Sequence, residues 1–451
     1  MRSTLSVLLL AVGLLARGAE TNDLGPRRTE SAAAAEGRLL LRLRDAAVAT
    51  GRSKSEPDRV TALATRTRMR LQTLRELGAG LLLVKVDDSQ SLDAIAAQLR
   101  ADPEVQSVAA DRRRFAHALP NDPLYTGQWY LQAAQASAIR AESAWDATRG
   151  SSGIVIAVLD TGVRFDHPDL GRAANGGKLL PGYDFVSADS NGGFLVANDG
   201  SGWDPDPSDP GDWVNSTDAA TAQFKGCSVA DSSWHGTRTT GMIAAASNNA
   251  TGIAGSNWNA WILPVRVLGK CGGFDSDIIS AMRWAAGLRV TGVADNPYPA
   301  RILNLSLGNT DTGQCQTYQP VIDELLTHGV LVVVSAGNEG ATVDEPADCR
   351  GVLAVAGLRH AGTKVGYSNL GPQIGISAPA GNCVNSNGGP CLYSLDTTTD
   401  RGLTTPAGAS YTDQINFNLG TSFAAPQAAG VAALMLALDG KLDAATLIAR
   451  M

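Results

Sequence analysis

Aromatic residues are scarce: Phe, Trp and Tyr make up 5% of the 451 residues. Cysteine is absent before residue 227, and only five histidines are present. Neither Cys-x-x-Cys nor His-Glu-x-x-His occurs, which excludes a zinc ribbon and leaves a metallohydrolase without an obvious zinc site. Beyond the first residues no apolar run is expected to be long enough to span a bilayer, so no stable membrane anchor is expected. Basic charge is also short where it would count. Residues 119–451 hold 18 Lys and Arg against 30 Asp and Glu, which excludes nucleic acid as the main partner. Residues 20–118 hold 17 against 14 and could pair with that acidic body.

What is present is an ordinary globular balance, with 44% hydrophobic residues and 18% charged, which argues against wholesale disorder. The length suits two or three domains. Arg2 followed by the apolar stretch Leu5 to Ala16 and the small-x-small step Ala16-Arg17-Gly18 reads as a secretory signal over 1–18. Twelve apolar residues are too few for ~30 Å of hydrocarbon. The chain is therefore expected to be secreted, extracellular or periplasmic. Six cysteines in an exported chain imply three disulfides, for which 15 pairings exist. Pairing neighbours in order gives Cys227–Cys271, Cys315–Cys349 and Cys383–Cys391.

Residues 20–37 read as an unstructured spacer and 38–114 as a small α+β unit. Within it, strands are expected at 38–44, 81–86 and 105–110. Helices are expected at 59–77 and, capped by Ser91, up to about Arg100, giving the order β-α-β-α-β. Arg112-Arg113-Arg114 marks a basic, exposed junction, and a new unit begins near Leu119. From there apolar strands near 154–159, 261–267, 301–305, 331–335 and 352–356 alternate with helices at 235–246, 276–286, 320–328 and 422–437. That alternation predicts an α/β fold, a mostly parallel sheet flanked by helices on both faces, with ligands at the carboxyl ends of its strands. Segments 187–213 and 380–419 read as long surface loops.

Three short segments carry candidate chemistry. Asp160-Thr161-Gly162 follows a buried strand. His235-Gly236-Thr237 opens a helix, where the dipole is expected to keep the imidazole neutral and fit for a general base. Gly420-Thr421-Ser422 opens another helix, placing a hydroxyl beside unpaired N–H groups. Each alone has a plain structural explanation. Together they offer an acid, a base and a nucleophile. Asn338 follows another buried strand and can donate its side-chain amide to an oxyanion beside the Ser422 N–H.

These segments, with Ser335-Ala336-Gly337-Asn338 and Gly420-Thr421-Ser422-Phe423-Ala424-Ala425-Pro426, resemble the subtilisin-like serine proteases, secreted bacterial members in particular. The resemblance covers roughly 120–440. It implies Asp160, His235 and Ser422 as a catalytic triad with Asn338 as oxyanion donor. It also implies that 19–117 is a propeptide, acting as intramolecular chaperone and inhibitor, and that 118–451 is the catalytic domain. It assigns Ser306, Leu307 and Gly308, with Gly272 and Gly273 opposite, to substrate pairing, and Ser335, Ala336 and Gly337 to a pocket wall. This small-residue lining offers no charged anchor, so uncharged side chains are the expected preference. The resemblance implies a structural Ca²⁺ held by Asp122, Asp169, Asn249 and the carbonyls of Ala246, Thr251 and Ile253, six oxygens in all. A second cation site is expected among Asp204, Asp206, Asp209 and Asp212.

The implied activity is that of a monomeric serine endopeptidase acting on proteins or peptides, made as a self-processing zymogen. Acyl transfer to an amine by the same triad is the rival chemistry. A calcium-stabilised binding protein, a pseudo-protease inactive through carboxy-terminal truncation, is the alternative outside enzymes. Two departures touch the motifs without removing a catalytic atom: Phe423 stands where the family more often has Met, and Arg238 where it more often has His. Relatives usually continue beyond the helix expected from Ala444, so the chain is expected to be short at that end.

Overall fold

A computed structural model describes residues 37–44, 55–87, 90–111, 119–310, 315–381, 394–412 and 419–451. The signal reading, most of the spacer, the Arg112–Arg114 junction and the Cys383–Cys391 pairing lie outside the described residues. The chain divides into two compact units, 1–116 and 117–451.

In its described residues the first unit is a four-stranded antiparallel sheet with two helices. Its elements are β1 (Arg38–Leu43), α1 (Glu56–Thr67), β2 (Leu71–Gly78), β3 (Leu81–Val86), α2 (Leu92–Arg100) and β4 (Val105–Ala110), with strand order β2-β3-β1-β4. Leu39, Leu41 and Leu43 alternate inward from β1 onto Val60 and Leu63 of α1 and Ile95 and Leu99 of α2. Ser55 and Ser91 cap the two helices by accepting from Asp58 N and Ala94 N.

The helix expected over 59–77 is corrected here. It stops at Thr67, Arg68 takes a left-handed conformation (φ 58°), and 71–78 forms a strand. Gly78-Ala79-Gly80 explains the change: Ala79 and Gly80 both have positive φ, as a two-residue hairpin turn requires. The order is therefore β-α-β-β-α-β.

The second unit is built on a seven-stranded, wholly parallel sheet. Its strands are β5 (Val155–Asp160), β6 (Tyr183–Asp184), β7 (Trp261–Arg266), β8 (Ile302–Leu305), β9 (Leu331–Ser335), β10 (Leu353–Leu358) and β11 (Ile374–Pro379). Their order is β11-β10-β9-β8-β5-β7-β6. Strands β5, β7, β8, β9 and β10 are near-continuous apolar runs because both faces are covered. Ile156, Val158, Val333 and Val355 face the alanine side of α8 (Thr421–Leu438), while Ala157, Leu159, Val332 and Val334 face the opposite core. Helices α6 (Asp275–Ala285) and α7 (Gln319–Thr327) fill that second face through Ile278, Met282, Ile322 and Leu325.

Helices α3 (Ala141–Ala147), α4 (Ser216–Ala219), α5 (His235–Ala244) and α9 (Ala444–Arg450) are the other α-helices among the described residues of this unit. The chain departs from β5 in both directions, to β7 and to β8, so the topological switch lies at the carboxyl end of β5.

Two further expectations change. Segment 380–419 is not wholly a surface loop, since β12 (Thr398–Asp400) pairs with β13 (Ala409–Tyr411) and residues 394–400 are buried. Strand β11 escaped notice because its edge position leaves it only half apolar. Among the described residues α8 is long and apolar enough to cross a membrane by length and composition, contrary to the reading that no such stretch exists. It is the mostly buried central helix of this unit. Cys227–Cys271 and Cys315–Cys349 are both disulfide-bonded, with Cα–Cα distances of 5.9 and 5.2 Å.

Candidate active site

Asp160 ends β5 at the switch point and is 1% exposed. His235 opens α5, which can approach β5 because its second residue is glycine: a Cβ on Gly236 would stand 2.1 Å from the Gly162 carbonyl oxygen. The imidazole Nδ1–H donates to Asp160 Oδ1 at 2.8 Å, which leaves Nε2 as the basic nitrogen. Asp160 Oδ1 also accepts from Thr161 N at 2.8 Å, and Oδ2 accepts from Thr239 Oγ1 at 3.1 Å. Burial opposes the imidazolium, but the charge and hydrogen bond of Asp160 outweigh it and raise the His235 pKa above 6.5. The expectation that the helix dipole keeps this histidine neutral is thus corrected: the buried carboxylate dominates.

Ser422 is the second residue of α8. Pro426, four residues on, has no N–H to give the Ser422 carbonyl. That carbonyl instead accepts from Ser306 Oγ at 2.7 Å, which ties the end of β8 to the start of α8. The Ser422 hydroxyl donates to the Ser306 carbonyl at 3.4 Å; among the described residues it has no hydrogen bond to His235. The two halves of the site meet where the His235 and Phe423 rings lie 5.6 Å apart.

Asn338 sits beside the same turn. Its Oδ1 accepts from Thr421 N at 2.9 Å and Thr421 Oγ1 at 3.1 Å, so its Nδ2 is the end left to donate outward. Gly420, at φ 152°, passes within 3.7 Å of both ends of that amide, measured from where a Cβ would stand.

Ser335 ends β9, Ala336 is buried beside β10, and Gly337 N donates to Thr421 Oγ1 at 3.1 Å. Leu307 and Gly308 follow β8. Gly272 and Gly273 lie in the turn between β7 and α6. The uncharged character expected of the pocket wall does not extend to its backing. A Cβ on Gly337 would stand 2.2 Å from Asp344 Oδ2, and Asn369 Nδ2 joins Asp344 to Glu339 at 3.0 and 2.8 Å. Burial, reinforced by the Glu339 charge, pushes the Asp344 carboxyl up to about 6.

Three side chains of the expected calcium site, Asp122, Asp169 and Asn249, meet at the 246–253 loop. Asp122 accepts from Asn248 N at 2.7 Å and Asn249 N at 3.3 Å. Asp169 accepts from Asn249 Nδ2 at 2.9 Å and Ile253 N at 3.0 Å, and its carbonyl accepts from Ala246 N at 2.9 Å. Burial, with the neighbouring Asp169 charge among the lesser causes, raises the Asp122 carboxyl above its ordinary value. The Asn248 Oδ1 is buried without a partner. Two adjoining buried carboxylates beside an oxygen-rich loop fit a hard cation.

No three of the four carboxylates of the second expected site bring oxygens within 4.8 Å of one another, which corrects that reading. Asp204 and Asp206 accept from nearby loop groups, Asp209 from Thr161 Oγ1 at 2.7 Å, and Asp212 from Ser233. Asp209 and Asp212 instead buttress the segments carrying Asp160 and His235, a role that nothing in their spacing reveals. Among the described residues the one group of three close metal-ligand types is Cys315, Asp348 and Cys349, whose cysteines are already disulfide-bonded.

A doubly wound parallel α/β sheet with a histidine on a buried aspartate and a helix-opening serine at its switch point defines the class. The chain belongs to the Subtilase family, whose profile matches residues 151–451. It is 41% identical over 371 residues to an extracellular protease of Xanthomonas campestris pv. campestris, covering 81% of this chain and 58% of that protein. It is 37% identical over 363 residues to an extracellular basic protease of Dichelobacter nodosus, covering 80% and 55%. The chain therefore spans little more than half the length of these relatives. A solved protease structure from Pseudoalteromonas arctica matches with a TM-score of 0.65 and 39% identity, over 74% of this chain and 91% of that one. Members of the family commonly bind structural calcium.

Proposed function

We propose that this chain is a secreted serine endopeptidase made as a self-processing zymogen. The observation that carries the reading is the Asp160–His235 hydrogen bond set beside Ser422 and Asn338 at the sheet's switch point. Ser422 Oγ attacks the scissile carbonyl while His235 Nε2 takes its proton and later gives it to the leaving amine. Asp160 holds the tautomer and stabilises the imidazolium. Asn338 Nδ2 and the Ser422 N–H receive the oxyanion. The serine hydroxyl must turn from the Ser306 carbonyl toward His235, a tightening ordinary for a site without substrate. Residues 306–308 and 272–273 pair with an extended substrate as added strands, and 335–337 wall its side-chain pocket.

Residues 19–117 serve as the propeptide, and the first bond cut lies near 114–120. Asp122, Asp169, Ala246, Asn249, Thr251 and Ile253 hold the calcium ion, which neutralises the paired carboxylates and fixes the loop. The names of the relatives support export.

The test is intact mass with a serine-directed fluorophosphonate, on the full chain expressed with calcium. A shortened chain beginning near Leu119 and labelled, against a full-length and unlabelled Ser422→Ala, is the expected result. Maturation and labelling of Ser422→Ala without other proteases would sink the reading. A folded wild type that neither matures nor labels would favour the inactive binding protein.

A further inference from the structure

Asp212 and Ser233 are 21 residues apart in sequence. They meet because the excursion between them is closed at its neck, where Val214 and Ala230 exchange N–H···O bonds of 2.9 and 3.0 Å. Asp212 divides its carboxylate between the two donors of one residue. Oδ1 accepts from Ser233 N at 2.6 Å, and Oδ2 accepts from Ser233 Oγ at 2.7 Å. With its proton committed to Asp212, the Ser233 oxygen accepts from His235 N at 3.2 Å. That N–H is among the four at the start of α5 that have no carbonyl within the helix.

Between them Trp234 is held in a left-handed conformation (φ 51°), uncommon for a bulky residue. Its indole is buried and donates to the Gly402 carbonyl at 2.7 Å. The backbone leading into His235 is therefore fastened from both sides. The charged groups acting on the imidazole are Asp160 from β5, Arg238 from α5 itself and Asp212 from the loop. The two carboxylates favour the imidazolium and the guanidinium opposes it.

We propose that Asp212 is a positioning residue for His235, acting through the Ser233 hydroxyl to hold the imidazole in line between Asp160 and Ser422. The proposal rests on the triad reading above. Removing the relay frees the first turn of α5 to shift, and a displacement of about 1 Å at a catalytic base costs up to roughly 100-fold in rate. Substrate contacts are untouched, so the loss falls on kcat rather than KM.

The test is kcat and KM for a peptide substrate across pH, using the full chain matured with calcium. Asp212→Ala and Ser233→Ala are expected to lower kcat by roughly 10- to 100-fold with little change in KM. Asp212→Asn keeps an oxygen for the Ser233 N–H and is expected to recover most of that loss at alkaline pH. It removes a charge that favours the imidazolium, so His235 loses its proton at lower pH and the acid limb moves down. Asp212→Ala with wild-type kcat, a rise in KM alone, or an Asn variant as slow as Ala with an unmoved acid limb would each overturn the proposal. Should Asp212→Ala not fold, Ser233→Ala and Asp212→Asn decide alone. Ser422→Ala in the same assay separates the two readings. If it stays active, the triad reading fails; if it is inactive while the Asp212 variants keep full kcat, only the positioning role fails.

Discussion

Asn338 uses its two amide ends differently. The oxygen is committed to the Thr421 backbone and hydroxyl, so the nitrogen is aimed by a neighbour of Ser422, the proposed nucleophile. Asn338→Ala is expected to lower kcat by roughly 100- to 1,000-fold while KM stays near wild type, since the donor acts on charge that exists only in the transition state. Steady-state kinetics on a peptide amide check this, and a change in KM alone would remove Asn338 from the oxyanion hole. Asp160, His235, Asn338 and Ser422 were legible in the sequence because each lies in a short motif placed after a strand or at a helix start. Thr161, Thr239 and Ser233 were not. A hydroxyl's role depends on which acceptor the fold brings to it, and their partners lie up to 79 residues away. Asp209 and Asp212 were misread for the same reason: closeness along a loop says nothing about where carboxylates point.

Elements are fixed by pattern where packing is two-sided and by turn chemistry where it is not. The central strands and α8 could be read from apolar runs because neither face meets water. β2 could not, since its outer face is exposed and its Leu, Arg and Glu also suit a helix. One buried ion pair within the sheet also escaped the pattern. Arg266, at the end of β7, is 1% exposed and pairs with Asp184 of β6 and with Asp199 at 2.6 Å. It reads as an ordinary strand-end arginine, yet it joins the edge strand β6 to the loop that carries Asp209 and Asp212. Arg266→Met is expected to destabilise the fold by about 3–5 kcal/mol, because it strands carboxylates that have lost their counter-charge. Urea unfolding measures this, and a loss below about 1 kcal/mol would mean water already reaches the pair.

At the scale of the whole molecule, the second unit is held together by contacts between parts of the chain far apart in sequence. Asp122 precedes β5, Asp169 follows it, and the 246–253 loop follows α5; all three meet at one place. Among the described residues the two disulfides act elsewhere, closing 227–271 and 315–349, so they cannot substitute for that junction. A cation there would join three segments by binding the native state and not the unfolded chain, adding stability by mass action. Calcium at 100 times its dissociation constant would contribute about 2.7 kcal/mol. Chelation is therefore expected to lower the melting temperature of the mature wild type. Asp169→Asn should melt low with calcium present and hardly respond to chelator, having lost a ligand charge. Calorimetry with and without EDTA tests both. Equal chelator responses in wild type and Asp169→Asn would place the stabilising ion elsewhere, and no response in either would mean that the paired carboxylates are stable on hydrogen bonds alone.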